Sequence, residues 1–174
     1  MKRWADFEAE APGLAADGRR LLYGESTSIG HAYLATTRND GGPRVHPVMP
    51  VLSDGGLYVF VVEMSPKRKD LERDRRFALH AYEPPGGGEE FYITGTALRV
   101  DDAHRRAAVT AASGGSLGNH DFEWLFEFLP AHVLHTRWAN WGKPETWPAY
   151  TKWPVAPLPG ERIQAASQQR VVGR

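Results

Sequence analysis

The sequence contains no cysteine, which removes disulfides, thiolate metal sites and cysteine nucleophiles together. It carries no surplus of either charge, since 21 basic side chains meet 21 acidic ones. A protein that grips a polyanion usually shows a basic excess, so a nucleic-acid partner is not expected. No apolar run approaches the ~18 residues of a membrane span, and Met1-Lys2-Arg3-Trp4-Ala5-Asp6 leads into no apolar secretory core. These absences predict a soluble, cytoplasmic protein without a membrane partner. The chain also has no Gly-x-Ser-x-Gly nucleophile elbow, and none of its glycine clusters has the spacing of a P-loop or a dinucleotide fingerprint.

What is present is a chain of 174 residues, 11% aromatic, long enough for one domain with a bulky core. Its organising stretch runs from Arg44 to Leu71. Arg44-Val45-His46-Pro47-Val48-Met49-Pro50-Val51-Leu52 reads as a strand, Ser53-Asp54-Gly55-Gly56 as a tight turn, and Leu57 to Val62 as a second strand. Alternation places Arg44, His46, Val48 and Leu52 on one face and Val45, Met49 and Val51 on the other. Pro47 and Pro50 cannot donate ladder hydrogen bonds, which predicts an edge or a bulge.

Ser65 then suits an N-cap and Pro66 the first helical position, so a helix is predicted from Pro66 to about Asp74. Its first turn carries Lys67, Arg68 and Lys69, against the sign that the helix dipole prefers. Free backbone N–H groups, a hydroxyl and cationic side chains in one turn make a phosphate site; the plain alternative is a solvated basic patch.

The remaining chain reads as a frame. A helix is predicted over Pro12 to Tyr23 with Gly24 as its stop, and Trp4 and Phe7 are assigned to packing. Strands are predicted over Ile29–Arg38, Phe77–Tyr82 and Glu90–Val100, the last with a bulge at Gly95. Asp101 or Asp102 caps a helix over Ala103–Ala112, whose His104, Arg105 and Arg106 read as a solvated face. Trp124–Phe128 and Ala131–Trp138 read as one strand interrupted at Pro130. In a strand, His132 and His135 fall on opposite faces, so no metal site follows from them. The stretch 138–153, with Trp138, Trp141, Trp147 and Trp153 among glycines and prolines, predicts no regular element, and 161–174 reads as a polar tail.

Gly42-Pro43-Arg44-Val45-His46-Pro47-Val48, Leu57-Tyr58-Val59-Phe60, Ser65-x-Lys67-x-x-Asp70-Leu71, Arg76-Phe77-Ala78-Leu79 and Phe91-x-x-x-Gly95-x-Ala97 together resemble the pyridoxamine 5'-phosphate oxidase-like family of flavin-binding split barrels. The resemblance spans roughly residues 25 to 137. It implies a mainly β fold with flanking helices, a six-stranded antiparallel split β-barrel, and a homodimer holding FMN between subunits. On that resemblance 1–27 is an N-terminal helical segment, 28–138 the flavin-binding barrel, and 139–174 a Trp-rich extension and tail. It implies that Arg44 and Lys67 hold the cofactor phosphate with help from Ser65, that Val45, His46, Pro47, Val48 and Met49 run along the ring system, and that Val61 lies beside them.

Pro66 stands where the oxidase has an arginine, so that phosphate contact is either missing or supplied by Arg68. Met49 also replaces a lysine of the oxidase. These departures bear on pyridoxamine phosphate as the substrate more than on the cofactor. The implied activity is hydride transfer between a small substrate and flavin, with no catalytic residue assigned. The alternatives are the deazaflavin F420, whose acidic tail would use Arg68, Lys69 and Arg38, and a flavin carrier or dimeric module without turnover.

Overall fold

The computed structural model describes residues 2–26 and 28–154, and the predicted tail at 161–174 lies outside them. Helices α1 (Trp4–Glu10) and α2 (Pro12–Tyr23) lead into strands β1 (Ala32–Thr37), β2 (Pro43–Val48), β3 (Pro50–Ser53) and β4 (Gly56–Val62). Helix α3 (Pro66–Arg73) and strands β5 (Arg76–Ala81) and β6 (Glu89–Val100) follow. Helix α4 (Ala103–Ala112), β7 (Glu123–Ala139) and β8 (Trp147–Trp153) complete the order. All the strand pairs are antiparallel.

The strands form one sheet in the order β2-β1-β5-β6-β7-β4-β3, with β8 added beside β7. The two ends of that order, β2 and β3, are neighbours in the chain, separated only by Met49. The backbone itself thus joins the two edges of the sheet, and this gives the split barrel. The predicted single strand from Arg44 to Leu52 is therefore two strands with different partners, β1 for the first half and β4 for the second. The expected alternation changes phase at the break: Val45 and Met49 are exposed while Val51 is buried. Pro47 lies on an edge strand, where its missing N–H costs no ladder bond.

Local chemistry accounts for the turns. Asp54 and Gly55 adopt φ values of 45° and 69° between the paired residues Ser53 and Gly56, the positive-φ pair that a two-residue hairpin requires. Gly95 sits at the register shift of the β6–β7 pair, opposite Pro130, and a Cβ there would lie 2.0 Å from the Leu129 carbonyl oxygen. The predicted bulge is present, and β7 runs through Pro130 as one 17-residue strand.

Two expectations fail outside the barrel frame. Residues 147–153 form β8, paired with Val133–Ala139 of β7, where no regular element was expected; the long β7 extends past β4 and offers a free edge. Arg105 and Arg106 of α4 are half-buried and engaged rather than solvated: Arg105 reaches Glu127 at 3.3 Å, and Arg106 donates to the carbonyls of Gly118, His120 and Glu123. The eight strands are the six expected ones, with one divided and β8 added.

The core is filled by inward residues such as Leu34, Leu57, Val59, Leu79, Ile93, Phe126 and Phe128. Trp4 and Phe7 of α1 complete it, with Phe7 5.0 Å from the Trp153 ring. His132 is exposed and His135 is buried, the alternation that a strand imposes.

Candidate functional site

Strand β2 lays Arg44 and His46 on its inner side, opposite Thr36 and Leu34 of β1. Helix α3 follows β4 and brings its first turns to the same place, because Leu71 is buried in the core and Asp70 beside it is carried inward. Asp70 is only 3% exposed. Its Oδ2 accepts from Arg44 Nε at 2.7 Å and from Thr36 Oγ1 at 3.0 Å, and its Oδ1 accepts a longer bond from Arg73 at 3.4 Å. Burial opposes its ionisation, but the bonds from Arg44 and Thr36 outweigh burial and hold its carboxyl below the usual carboxylate range.

Near this carboxylate lie two nitrogen groups without partners among the described residues. His46 Nε2 is buried and makes no hydrogen bond. Desolvation, then the charges of Lys67 and Arg44, push the His46 pKa down, which favours a neutral ring. Lys67 is half-buried, and among the described residues it makes no hydrogen bond or ion pair. Burial alone lowers its pKa. A desolvated ammonium from the first turn of α3, a guanidinium with both terminal nitrogens unpaired among the described residues and an orphaned imidazole nitrogen from β2 are near enough for the charges of Lys67 and Arg44 to act on His46. That donor set suits a phosphate-sized anion.

The other sequence-predicted residues divide. Val45 is 60% exposed and Met49 41%, and with exposed Pro47 they form the outer side of the same edge strand. Tyr33, paired with Pro47, is 47% exposed and stacks on Tyr82 at 4.5 Å. Val48 and Val61 are core residues. Ser65 has the extended backbone of an N-cap, but its hydroxyl makes no cap hydrogen bond, contrary to expectation.

Arg68 is engaged elsewhere. Its Nε donates to the Glu63 carbonyl at 2.9 Å, it pairs with Glu72, and it stacks 4.5 Å from the Trp124 ring, whose distance to Arg99 is 3.7 Å. Arg38 pairs with Asp40 at 2.9 Å. Trp141 closes over the glycine turn at 86–88 and lies 5.9 Å from Trp138.

Thr36 and Asp70 are the members that sequence reasoning missed. The first acid after three consecutive cations, next to the leucine that anchors the helix, was the available signal for Asp70. Thr36 had none, because only the β1–β2 register brings it opposite Arg44.

No protein-family model and no curated protein matches this chain. Solved structures do. A protein of the pyridoxinephosphate oxidase family from Clostridium acetobutylicum, related to general stress protein 26, is 12% identical, covering 86% of this chain and 96% of its own with a TM-score of 0.55. An F420 reductase is 17% identical over 66% of this chain and 94% of its own, with a TM-score of 0.52. A heme binding protein from Mycobacterium smegmatis is 18% identical over 75% of this chain, with a TM-score of 0.56; this chain spans about half of its length, 55%. Likeness at this level is likeness of fold. The fold is the pyridoxamine 5'-phosphate oxidase-like split barrel.

Proposed function

We propose that the protein is an FMN-binding oxidoreductase whose cofactor phosphate is held by Arg44, His46 and Lys67. The observation that carries this reading is the pair of unsatisfied groups among them, Lys67 and His46 Nε2. A cation buried without a counter-ion lowers stability unless a ligand answers it. The edge strand β2 supplies a surface for a flat ring system, with free backbone groups on one side and Val45, Pro47 and Met49 facing outward. Bound FMN supplies the electron chemistry, exchanging a hydride with a small substrate. The chain's own part is to hold the phosphate, orient the ring and line the groove. No side chain is assigned as a general base, and hydride exchange with flavin need not have one. Arg38 and Arg68 are engaged with Asp40 and Glu72, which supports a compact phosphate over the longer acidic tail of F420.

The deciding experiment is absorbance titration of the purified protein with FMN, F420 and haem in turn. Retention of flavin bands after desalting supports the proposal. Retention of F420 alone moves the protein to deazaflavin chemistry, and retention of haem alone overturns the redox-flavin reading. Binding of none rejects the site. FMN bound without reduction by any hydride donor leaves a carrier rather than an enzyme.

A homodimer with the cofactor between subunits completes the proposal. The exposed apolar side chains Tyr33, Val45 and Met49 beside an open strand edge are a surface that a second copy would cover. Light scattering coupled to size exclusion should give twice the 19.4 kDa chain mass; a monomer at micromolar concentration removes the shared site.

A further inference from the structure

Asp70 does more than neutralise a neighbour. A carboxylate meeting arginine solely to cancel charge is best served by the bidentate fork, two parallel N–H bonds from the guanidinium. Asp70 instead takes Arg44 through Nε at 2.7 Å. Both terminal nitrogens of Arg44, the fork that chelates phosphate, are left without a partner among the described residues. Thr36 fixes the same oxygen at 3.0 Å, and Arg73 holds the other. One buried carboxylate therefore ties β1, β2 and α3 together. Lys67 lies one helical turn before Asp70, within reach on the same face, yet no ion pair joins them. The acid is committed to Arg44.

We propose that Asp70 is a positioning residue for anion binding, fixing the Arg44 side chain by its Nε so that the two terminal nitrogens are presented to a phosphate monoester. This rests on the FMN reading above. An arginine side chain has much rotamer entropy to lose, and an arginine already anchored loses less of it when the ligand arrives. The arrangement has an electrostatic cost, since a carboxylate behind a phosphate repels it. Positioning and plain electrostatics thus predict opposite signs when the charge is removed.

The test compares FMN with riboflavin, which shares the ring system and lacks the phosphate, by fluorescence titration of the wild type and of Asp70→Asn, Thr36→Val and Lys67→Ala. Positioning predicts that Asp70→Asn weakens FMN about tenfold, the low end for a bond to a charged group, and leaves riboflavin unchanged. Thr36→Val should weaken FMN in the same direction by about threefold, less than Asp70→Asn because Thr36 acts on Arg44 only through the carboxylate. Unchanged or tighter FMN binding by Asp70→Asn overturns the proposal, and so does an equal loss for both ligands, which marks general damage to the fold. Should Asp70→Asn not fold, unchanged FMN affinity in Thr36→Val overturns it. Lys67→Ala separates the two levels: a loss there with none in Asp70→Asn removes only the role of Asp70, whereas no loss in either removes the phosphate site itself.

Discussion

Among the described residues, two buried carboxylates anchor arginines, and they are finished to different degrees. Glu127 of β7 receives Arg3 Nε at 2.7 Å and Arg105 Nη1 at 3.3 Å, and Arg3 also donates to the Tyr58 hydroxyl at 2.9 Å. Both oxygens of Glu127 are answered from within the chain. Asp70 of α3 is likewise saturated by Arg44, Thr36 and Arg73, but His46 Nε2 and Lys67 stand beside it unanswered. Buried polar groups in folded proteins are nearly always paired, so each exception needs a reason. The Glu127 cluster pins the N-terminal segment to the sheet. On the proposed reading, the Asp70 cluster is completed by the phosphate of a bound ligand.

Substitution should separate the two clusters cleanly. Glu127→Ala leaves two guanidiniums without their anion and unties Arg3, and should lower unfolding stability by about 2–3 kcal/mol. FMN affinity should be unchanged in that variant. Chemical denaturation and titration of one preparation check both halves; a matching loss of affinity would merge the two regions into one system.

Lys67 should behave in the reverse way. Lys67→Ala should reduce FMN affinity by about 1.5–3 kcal/mol, the range for bonds to charged groups, and unchanged affinity removes the phosphate assignment. Lys67→Met keeps the apolar stem and deletes the desolvated ammonium. Because burial disfavours the charged lysine in the folded state, this variant should make the ligand-free protein more stable by about 0.5–1 kcal/mol. A drop in its denaturation midpoint would mean that the ammonium has a structural partner after all.

The same comparison marks how far the sequence can be read. Arg44, His46 and Lys67 were legible because their oddity is local: alternation along one strand, and cations in the first turn of a helix. The hairpin at Asp54–Gly55, the bulge at Gly95 and the stop at Gly24 were legible for the same reason, as each is a backbone requirement written in one or two residues. The break between β2 and β3 was not, because nothing in the residues around Met49 marks the point where the pairing partner changes from β1 to β4. Arg68 was misplaced by the same blindness to distance. Trp124, 56 positions later, draws it to the other side of its helix. Strand β8 was hidden by Gly142, Pro144 and Pro148, which argue against order locally, whereas the free edge of a 17-residue β7 supplies it.

The smallest expected effect concerns His46, and it sharpens the contrast through pH. Its folded-state pKa lies below the usual histidine value, first through desolvation and then through Lys67 and Arg44. The unfolded chain therefore binds more protons near pH 6, and the ligand-free protein should lose stability as pH falls through about 6.5, the unfolded value. Asp70 contributes no slope there, since a depressed carboxyl loses its stabilisation only as pH falls below about 3.9 toward the lower folded value. A bound phosphate reverses the sign at His46, because its negative charge favours the imidazolium that the cations disfavour. The FMN phosphate itself takes a proton near pH 6, so the quantity to follow is the ratio of wild-type to His46→Asn affinity, in which that protonation cancels. The ratio should rise severalfold between about pH 7.5 and 5.5, bounded by the roughly 1.4 kcal/mol of one pKa unit. A flat ratio would place His46 outside the reach of the phosphate and leave Arg44 and Lys67 to hold it alone.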